Sequence, residues 1–305
     1  MGFKKFGWWG FEVTIPDNWD ISIDRGGYNK GYVRIDDPKV PRLEISWEPY
    51  KKDKIKSLDE ISEGIKKELQ KKSKDVKFIG KGGSARIAKH TAKYLHWRID
   101  EFEGYVVFWY CDENLKFYRV QLLFKRDEYW SFKKTILDVL KSFKCHVKSD
   151  IYSWTVLDFD LKLPKDFKLI SRSYKLGNIT LAFESKDSYV FINRISVADV
   201  LLEEKYEGDL MNVLENEHLP NIRTRLKISK FKSSRSFQDE FHRGLVISSS
   251  YKIGLIMPKE FYLKTRIWLC KKTNKIYAVT IAVRKSLESD KFRRRLETLL
   301  STLCP

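Results

Sequence analysis

Trp109-Tyr-Cys-Asp-Glu-Asn-Leu-Lys-Phe-Tyr-Arg-Val120 recurs later in the chain as Trp268-Leu-Cys-Lys-Lys-Thr-Asn-Lys-Ile-Tyr-Ala-Val279. Five residues are identical at a constant separation of 159 positions: Trp109/Trp268, Cys111/Cys270, Lys116/Lys275, Tyr118/Tyr277 and Val120/Val279. Each copy places a short polar turn between two strand-like segments, which predicts a β-hairpin. Because the identities keep a fixed register, we predict that the 305-residue chain is a tandem duplication.

A second repeated pattern opens each copy: a strand that ends at Pro and is followed by an aromatic residue, at residues 11–19 and 159–167. Strands are predicted next over 42–47 and 189–194. A helix follows, from the capping box Ser57-Leu-Asp-Glu60 in the first copy and over about 206–217 in the second. Further strands are expected around 76–79 and 222–228, then over 88–99 and 245–255. Amphipathic helices over 132–143 and 292–303 close the copies.

These elements predict an α+β protein of two tandem similar domains, each an antiparallel β-sheet packed against amphipathic helices. A short polar stretch near 147–152 marks the boundary, so the predicted domains are 1–149 and 150–305. The opening aromatic strand with its Pro, the helix after the second strand, the meander and the closing helix together resemble the PsbP-like fold. That fold is shared by a photosystem II extrinsic subunit and the yeast Ran-release factor. The resemblance implies binding or assembly rather than catalysis, and it carries no functional residue over to this chain.

Composition narrows the choice of partner and compartment. A formal net charge of +18 indicates either a generally cationic surface or a polyanion partner such as nucleic acid. The 33% of charged residues and the scarcity of glutamine are typical of a thermophile. No window is long and apolar enough to span a membrane, and the N-terminus lacks the apolar core of a secretion signal. A cytoplasmic location is therefore expected.

The four cysteines are spaced alike, since Cys111 and Cys145 are 34 residues apart and so are Cys270 and Cys304. A final helix that runs back along its sheet returns each second cysteine to the hairpin, so either a disulfide in each domain or two pairs of buried thiols are expected. We predict no metal site and no cofactor, because no Cys-x-x-Cys spacing occurs and His146 is the only histidine adjacent to a cysteine. His90 is expected to be a half-buried strand residue.

Two further stretches have candidate binding roles. The turn Ile79-Gly-Lys-Gly-Gly-Ser84 resembles the Gly-x-x-Gly loop of nucleic-acid-binding KH domains, but its counterpart in the second copy lacks glycine, so a turn between strands is predicted. The second stretch would carry cations along one face of a strand as a polyanion site. Its basic residues are Arg223, Arg225, Lys227, Lys230, Lys232 and Arg235.

Because no familiar catalytic motif occurs, the sequence predicts a non-enzymatic binding or assembly (adaptor) protein with a protein partner. The alternative is a nucleic-acid-binding protein that uses the basic strand at residues 223–235.

Overall fold

The structure is a computed structural model that describes residues 2–175, 177–186, 188–228, 234–253, 259–285 and residue 294. The chain divides into two compact units, Met1–Lys162 and Leu163–Pro305. This division falls after the predicted boundary, because the segment Ile151–Val156 pairs with the first strand of the chain, Gly7 lying opposite Thr155. None of the helices in the described part of the chain is long and apolar enough to cross a membrane.

Antiparallel strands make up most of the first unit. They are β1 (Phe3–Trp8), β2 (Phe11–Pro16), β3 (Asp20–Gly26), β4 (Gly31–Asp36), β5 (Pro41–Pro49), β6 (Lys77–Phe78), β7 (Gly83–Ile87), β8 (His90–Ile99), β9 (Phe102–Cys111), β10 (Lys116–Lys125), β11 (Ile151–Val156) and β12 (Phe159–Pro164), the last of which begins in this unit. One sheet has the order β12-β11-β1-β2, and the main sheet has the order β3-β4-β5-β10-β9-β8-β6 with β7 also paired to β8.

The second unit repeats the order of the main sheet. Its strands are β13 (Lys168–Lys175), β14 (Asn178–Ser185), β15 (Ser188–Ser196), β16 (Arg235–Gln238), β17 (His242–Ile253), β18 (Lys259–Cys270) and β19 (Lys275–Arg284), in the order β13-β14-β15-β19-β18-β17-β16. In the part of the chain that the structure describes, both units are therefore strand-rich variants of the predicted α+β class.

The repeated hairpin has the same geometry in both units. Trp109 lies opposite Tyr118 across β9 and β10, and Trp268 lies opposite Tyr277 across β18 and β19. The rings of each pair are stacked, with centroids 5.5 Å apart in the first unit and 5.4 Å apart in the second. All four side chains are buried. The shared Trp and Tyr therefore form equivalent core contacts, which explains why the repeat keeps them.

The helices match the prediction better in the first unit. Helix α1 (Leu58–Lys72) begins after Ser57, whose side chain and that of Glu60 form the predicted capping box. Helix α2 (Tyr129–Ser142) buries Phe132, Ile136 and Val139, as the amphipathic pattern predicted. In the second unit the predicted helix over 206–217 is interrupted. The helical pieces are α3 (Ala198–Val200), a π-helical turn (Leu201–Lys205), α4 (Leu210–Val213), a second π-helical turn (Leu214–His218) and α5 (Leu219–Arg223).

The strand predicted over 222–228 is wrong. Arg223 ends helix α5, which has Pro220 in its first turn, and the residues after it form a turn. Ile222 and Leu226 are both buried, and their spacing of four residues fits a helical face as well as an alternating strand. The closing helix predicted over 292–303 lies outside the described residues, apart from the helical Arg294.

A buried ion pair connects the main sheet of the first unit to helix α2. Arg42 on β5 is only 5% exposed, and its guanidinium donates to Asp37 Oδ2 at 2.5 Å and to Glu128 Oε2 at 2.6 Å. Glu128 immediately precedes α2, and the Arg42 guanidinium also lies 4.8 Å from the centre of the Phe132 ring. Arg42 therefore fixes the start of the helix against the sheet.

We expect Arg42→Met to destabilise the first unit by about 3 kcal/mol, because it leaves the mostly buried Asp37 carboxylate without its partner. Lys30→Met is the matched control, since Lys30 pairs with Glu48 on an exposed surface at 2.9 Å. Its effect should stay below about 1 kcal/mol. Urea unfolding of both variants measures the difference, and equal effects would contradict the assigned role of Arg42.

Candidate metal centre

Two thiols and two imidazoles converge at one end of the main sheet of the first unit. Each of His90, Cys111, Cys145 and His146 offers one ligand atom, and all four atoms lie within 4.8 Å of one another. His90 begins β8 and Cys111 ends β9. These strands are antiparallel and pair Ala92 with Trp109, so continuing the register places His90 opposite Cys111. The other two residues follow helix α2.

Hydrogen bonds hold the segment after α2 in place. The main chain of Lys144 exchanges two hydrogen bonds with that of Glu12 on β2, at 2.9 and 2.7 Å. The Cys145 carbonyl oxygen accepts from Tyr118 Oη at 2.8 Å and from Asn114 Nδ2 at 2.7 Å. Cys145 is consequently fixed against the hairpin by the tyrosine of the repeated motif.

His146 lies between the two thiols. Its Nδ1 atom is 3.4 Å from Cys111 Sγ and 3.4 Å from Cys145 Sγ, and its Nε2 atom is 3.6 Å from Glu113 Oε1. Both cysteines are fully buried, whereas the side chain of Glu113 is 50% exposed. One nitrogen of His146 therefore faces the buried ligand group, and the other faces a carboxylate at the surface. This is the usual arrangement around a metal-bound histidine.

His90 contributes a buried nitrogen that lacks a hydrogen bond. Its Nε2 atom makes none with any residue in the described part of the chain, although Glu113 Oε2 lies 3.4 Å away. A buried nitrogen without a hydrogen bond is unfavourable, so this atom is available as a ligand. A metal ion at the centre of the four ligands would satisfy it.

A hydrogen bond between the two thiols shifts their pKa values in opposite directions. The Cys145 thiol donates to Cys111 and lowers the pKa of Cys111 to about 6, with further contributions from the Asn114 amide, His90 and His146 against the opposing effect of burial. The same hydrogen bond, together with burial, raises the pKa of Cys145. Thiolates are the form of cysteine that binds metal, and binding would release the remaining proton.

Lys116 adds a buried positive charge beside this group. It is 3% exposed, and its Nζ atom lies 3.5 Å from the centre of the Tyr28 ring. No carboxylate in the described residues forms an ion pair with it. Burial lowers the pKa of Lys116 to about 8, and the nearby charge of Cys111 opposes that shift. Lys116 lies opposite Cys111 in the hairpin, so this shared lysine of the repeat balances negative charge on the thiolate.

Cys111 and Cys145, which their spacing in the sequence predicts to lie close together, both belong to this group. Of the two alternatives expected for this pair, a disulfide or two buried thiols, the structure has the second, because Cys111 and Cys145 are free and buried. Each sulfur also lies 3.4 Å from His146 Nδ1. The expectation of no metal ligands rested on spacing along the chain, and that spacing does not reveal His90, which comes from a neighbouring strand.

The second unit retains part of this arrangement. His242 lies opposite Cys270 across β17 and β18, as His90 lies opposite Cys111. Cys304 lies outside the described residues, so the second predicted cysteine pair cannot be compared. Pro305 occupies the position that corresponds to His146 at the separation of 159 residues, so the second copy lacks the fourth ligand.

The predicted basic site does not form one strand face. Arg223 ends α5, Arg225 and Lys227 follow it in exposed positions, and Arg235 begins β16. Lys230 and Lys232 lie outside the described residues. The Arg223 guanidinium donates to the Ile228 carbonyl oxygen at 3.0 Å and so helps to shape the turn. Binding of a polyanion at these residues stays a prediction.

No protein-family model and no curated protein matches this chain. Among solved structures it is similar to the cyanobacterial PsbP of Synechocystis sp. PCC 6803, with 16% identity, a TM-score of 0.38, and coverage of 46% of this chain and 91% of that one. It is also similar to the T6SS immunity protein TplEi of Pseudomonas aeruginosa, with 12% identity, a TM-score of 0.29, and coverage of 99% and 96%.

A third similarity is to the Ran-binding protein Mog1p of Saccharomyces cerevisiae, with 7% identity, a TM-score of 0.28, and coverage of 48% of this chain and 88% of that one. The two PsbP-like proteins that the sequence resembled are thus both among the matching structures. These similarities concern the fold alone, and the function has to be argued from the site.

Proposed function

We propose that this chain is a zinc-binding, non-enzymatic binding or assembly protein in which the metal has a structural role. The observation that carries the proposal is the convergence of two thiols and two imidazoles within 4.8 Å in the first unit. Thiolate and imidazole are the ligands that Zn²⁺ prefers in structural sites, where four protein ligands complete a tetrahedron.

The closed ligand set favours a structural role over a catalytic one. Catalytic zinc sites keep one position for water or substrate, usually with three protein ligands. Here four protein ligands would complete a tetrahedral shell, and Glu113 Oε1 lies 3.6 Å from His146 Nε2 as the carboxylate partner of that imidazole. The zinc would connect the start of β8, the end of β9 and the segment after α2. Such a connection holds the hairpin and the end of the helix rigid for a partner.

The proposal predicts that the purified chain contains zinc and that single ligand substitutions reduce its affinity. We expect Cys111→Ser and His90→Gln to weaken zinc binding at least about tenfold, because each removes one of four ligands. His96→Gln is the matched control, since His96 lies on the same strand as His90 but binds Glu103 at 3.1 Å. Its zinc affinity should equal that of the unchanged protein.

Elemental analysis after dialysis and competition with a chromophoric chelator measure content and affinity. Zinc that is absent, or that is lost equally from the His96 variant, would contradict the proposal. The binding role is tested separately, by asking whether a captured protein partner is lost on chelation and regained when zinc is added.

A further inference from the structure

A cavity of about 420 Å³ lies on the face of the main sheet of the first unit, next to helix α2. Its walls come from β7, β8 and β9 on one side and from α2 on the other, and the loop at residues 79–82 forms its rim. It does not include any of the four metal ligands. The volume is within the range of pockets that bind small molecules.

Most of the lining is apolar. Val107, Ile136 and Leu140 supply aliphatic surface, and Tyr94 and Tyr105 supply aromatic surface. The Tyr94 and Tyr105 rings lie 6.3 Å apart on the sheet. Leu137 also lines the cavity and is 46% exposed, so apolar surface continues to the opening. A ligand with a flat apolar body would bury this surface.

The charged groups of the lining have one sign. Lys81 on the rim loop and Lys133 on α2 both line the cavity, and both are exposed. Neither forms an ion pair with a carboxylate in the described part of the chain, and no Asp or Glu lines the cavity. Burial lowers the pKa of His96 against the opposing effect of Glu103, whose Oε2 atom lies 3.1 Å from His96 Nε2. The cavity is thus complementary to one negative charge.

The conformation of the rim loop requires glycine at two positions. Gly80 and Gly82 both adopt positive φ, at +70° and +76°, which side chains other than glycine rarely adopt. A Cβ atom at Gly82 would lie 2.6 Å from the Tyr94 carbonyl oxygen, so only glycine allows the loop to lie this close to β8. The glycine-rich turn that resembled a KH loop therefore serves as the preformed edge of an apolar cavity.

We propose that this cavity binds a small aromatic monocarboxylate, with its ring between the sheet and α2 and its carboxylate between Lys81 and Lys133. This inference does not depend on the proposed zinc site. The apolar walls would contribute most of the affinity, and the two ammonium groups would select the anion over neutral or cationic molecules of the same shape.

Calorimetric titration of the full chain with naphthoate tests the proposal, with naphthol and naphthylmethylamine as neutral and cationic analogues. We expect saturable binding of one naphthoate per chain and binding of the amine weaker by about tenfold or more. Lys133→Ala should weaken naphthoate about fivefold. Lys134→Ala, a neighbouring exposed lysine outside the lining, should have no effect. Leu137→Glu places a carboxylate at the opening and should reduce binding further.

Three results would overturn the assignment: no saturable binding of naphthoate, equal binding of the amine, or equal weakening by the Lys133 and Lys134 variants. The last two results would indicate apolar adsorption and a general effect of surface charge, respectively. Circular dichroism of each variant checks that it is folded. Both lysine substitutions are at exposed positions, so loss of fold is not expected.

Discussion

Removal of zinc is expected to lower the thermal stability of the first unit by about 10 °C. A ligand that binds only the folded state stabilises it by about 4 kcal/mol when its free concentration is a thousand times its Kd. For a unit of this size, each kcal/mol corresponds to about 2–4 °C. The expected loss is large because the metal would join segments that are far apart in the sequence. Without it, two buried thiols, one buried imidazole nitrogen and the ammonium group of Lys116 would lie together with no ion between them.

Differential scanning calorimetry with and without a zinc chelator measures this effect. Cys145→Ser should melt at the chelated temperature whether or not zinc is added, because it lacks one of the four ligands. His96→Gln should respond to chelation as the unchanged protein does. Zinc-dependent stability that persists in the Cys145 variant would place the metal elsewhere in the chain.

Acidification between about pH 6.5 and pH 3 is expected to destabilise the second unit through His218. This side chain is 1% exposed, and its Nε2 atom is 2.9 Å from Thr280 Oγ1. Thr265 Oγ1 is 2.8 Å from the same hydroxyl. The Nδ1 atom of His218 is buried and makes no hydrogen bond with the described residues. Burial lowers the pKa of His218 from 6.5 to about 3.

The direction of the pH effect follows from the protonation of His218 in the unfolded and folded chain. Below pH 6.5 the unfolded chain binds a proton at His218, while the folded chain does not until the pH approaches 3. The contribution of neutral His218 to the free energy of unfolding is therefore complete above the pKa of His218 in the unfolded chain. It is lost as the pH falls from 6.5 towards 3, by about 1.4 kcal/mol per pH unit. The total loss of stability approaches about 5 kcal/mol. This is an upper value, because local unfolding that exposes His218 to protons occurs before the pH reaches 3.

Urea unfolding at several pH values between 7.5 and 5 tests this expectation. Most carboxylates titrate below that range, so the slope there reports on histidines. His218→Gln should reduce the slope for the second unit, and His242→Gln is the matched control, because His242 is more exposed and hydrogen-bonded to Asp239 at 3.0 Å. A slope that is unchanged in the His218 variant would show that its burial is not the cause.

Local patterns predicted much of the fold. The hairpin was recognisable because Trp109 and Tyr118 recur together, and the capping box at Ser57 determined where α1 begins. The prediction of a strand over 222–228 is wrong because the three buried apolar residues of this short stretch fit both the helical and the strand periodicity. The interrupted helix of the second unit contains two π-helical turns, which a simple helical periodicity does not predict.

The candidate site was only partly recognisable. The equal spacing of 34 residues in the pairs Cys111/Cys145 and Cys270/Cys304, together with a final helix that runs back along its sheet, indicates that Cys111 and Cys145 approach each other. His90 was assigned to a half-buried strand, because its position opposite Cys111 depends on how β8 pairs with β9, and strand register is a property of the sheet. Ligands contributed by paired strands therefore escape motif searches that depend on spacing along one segment.

X-ray absorption at the zinc edge of the loaded chain tests the metal centre most directly. The four ligands predict two sulfur atoms at about 2.3 Å and two nitrogen atoms at about 2.0 Å from the zinc. Cys111→Ser should leave one sulfur, while His96→Gln should leave the spectrum unchanged. A shell of oxygen and nitrogen without sulfur, or a chain that binds no zinc, would contradict a centre formed by His90, Cys111, Cys145 and His146.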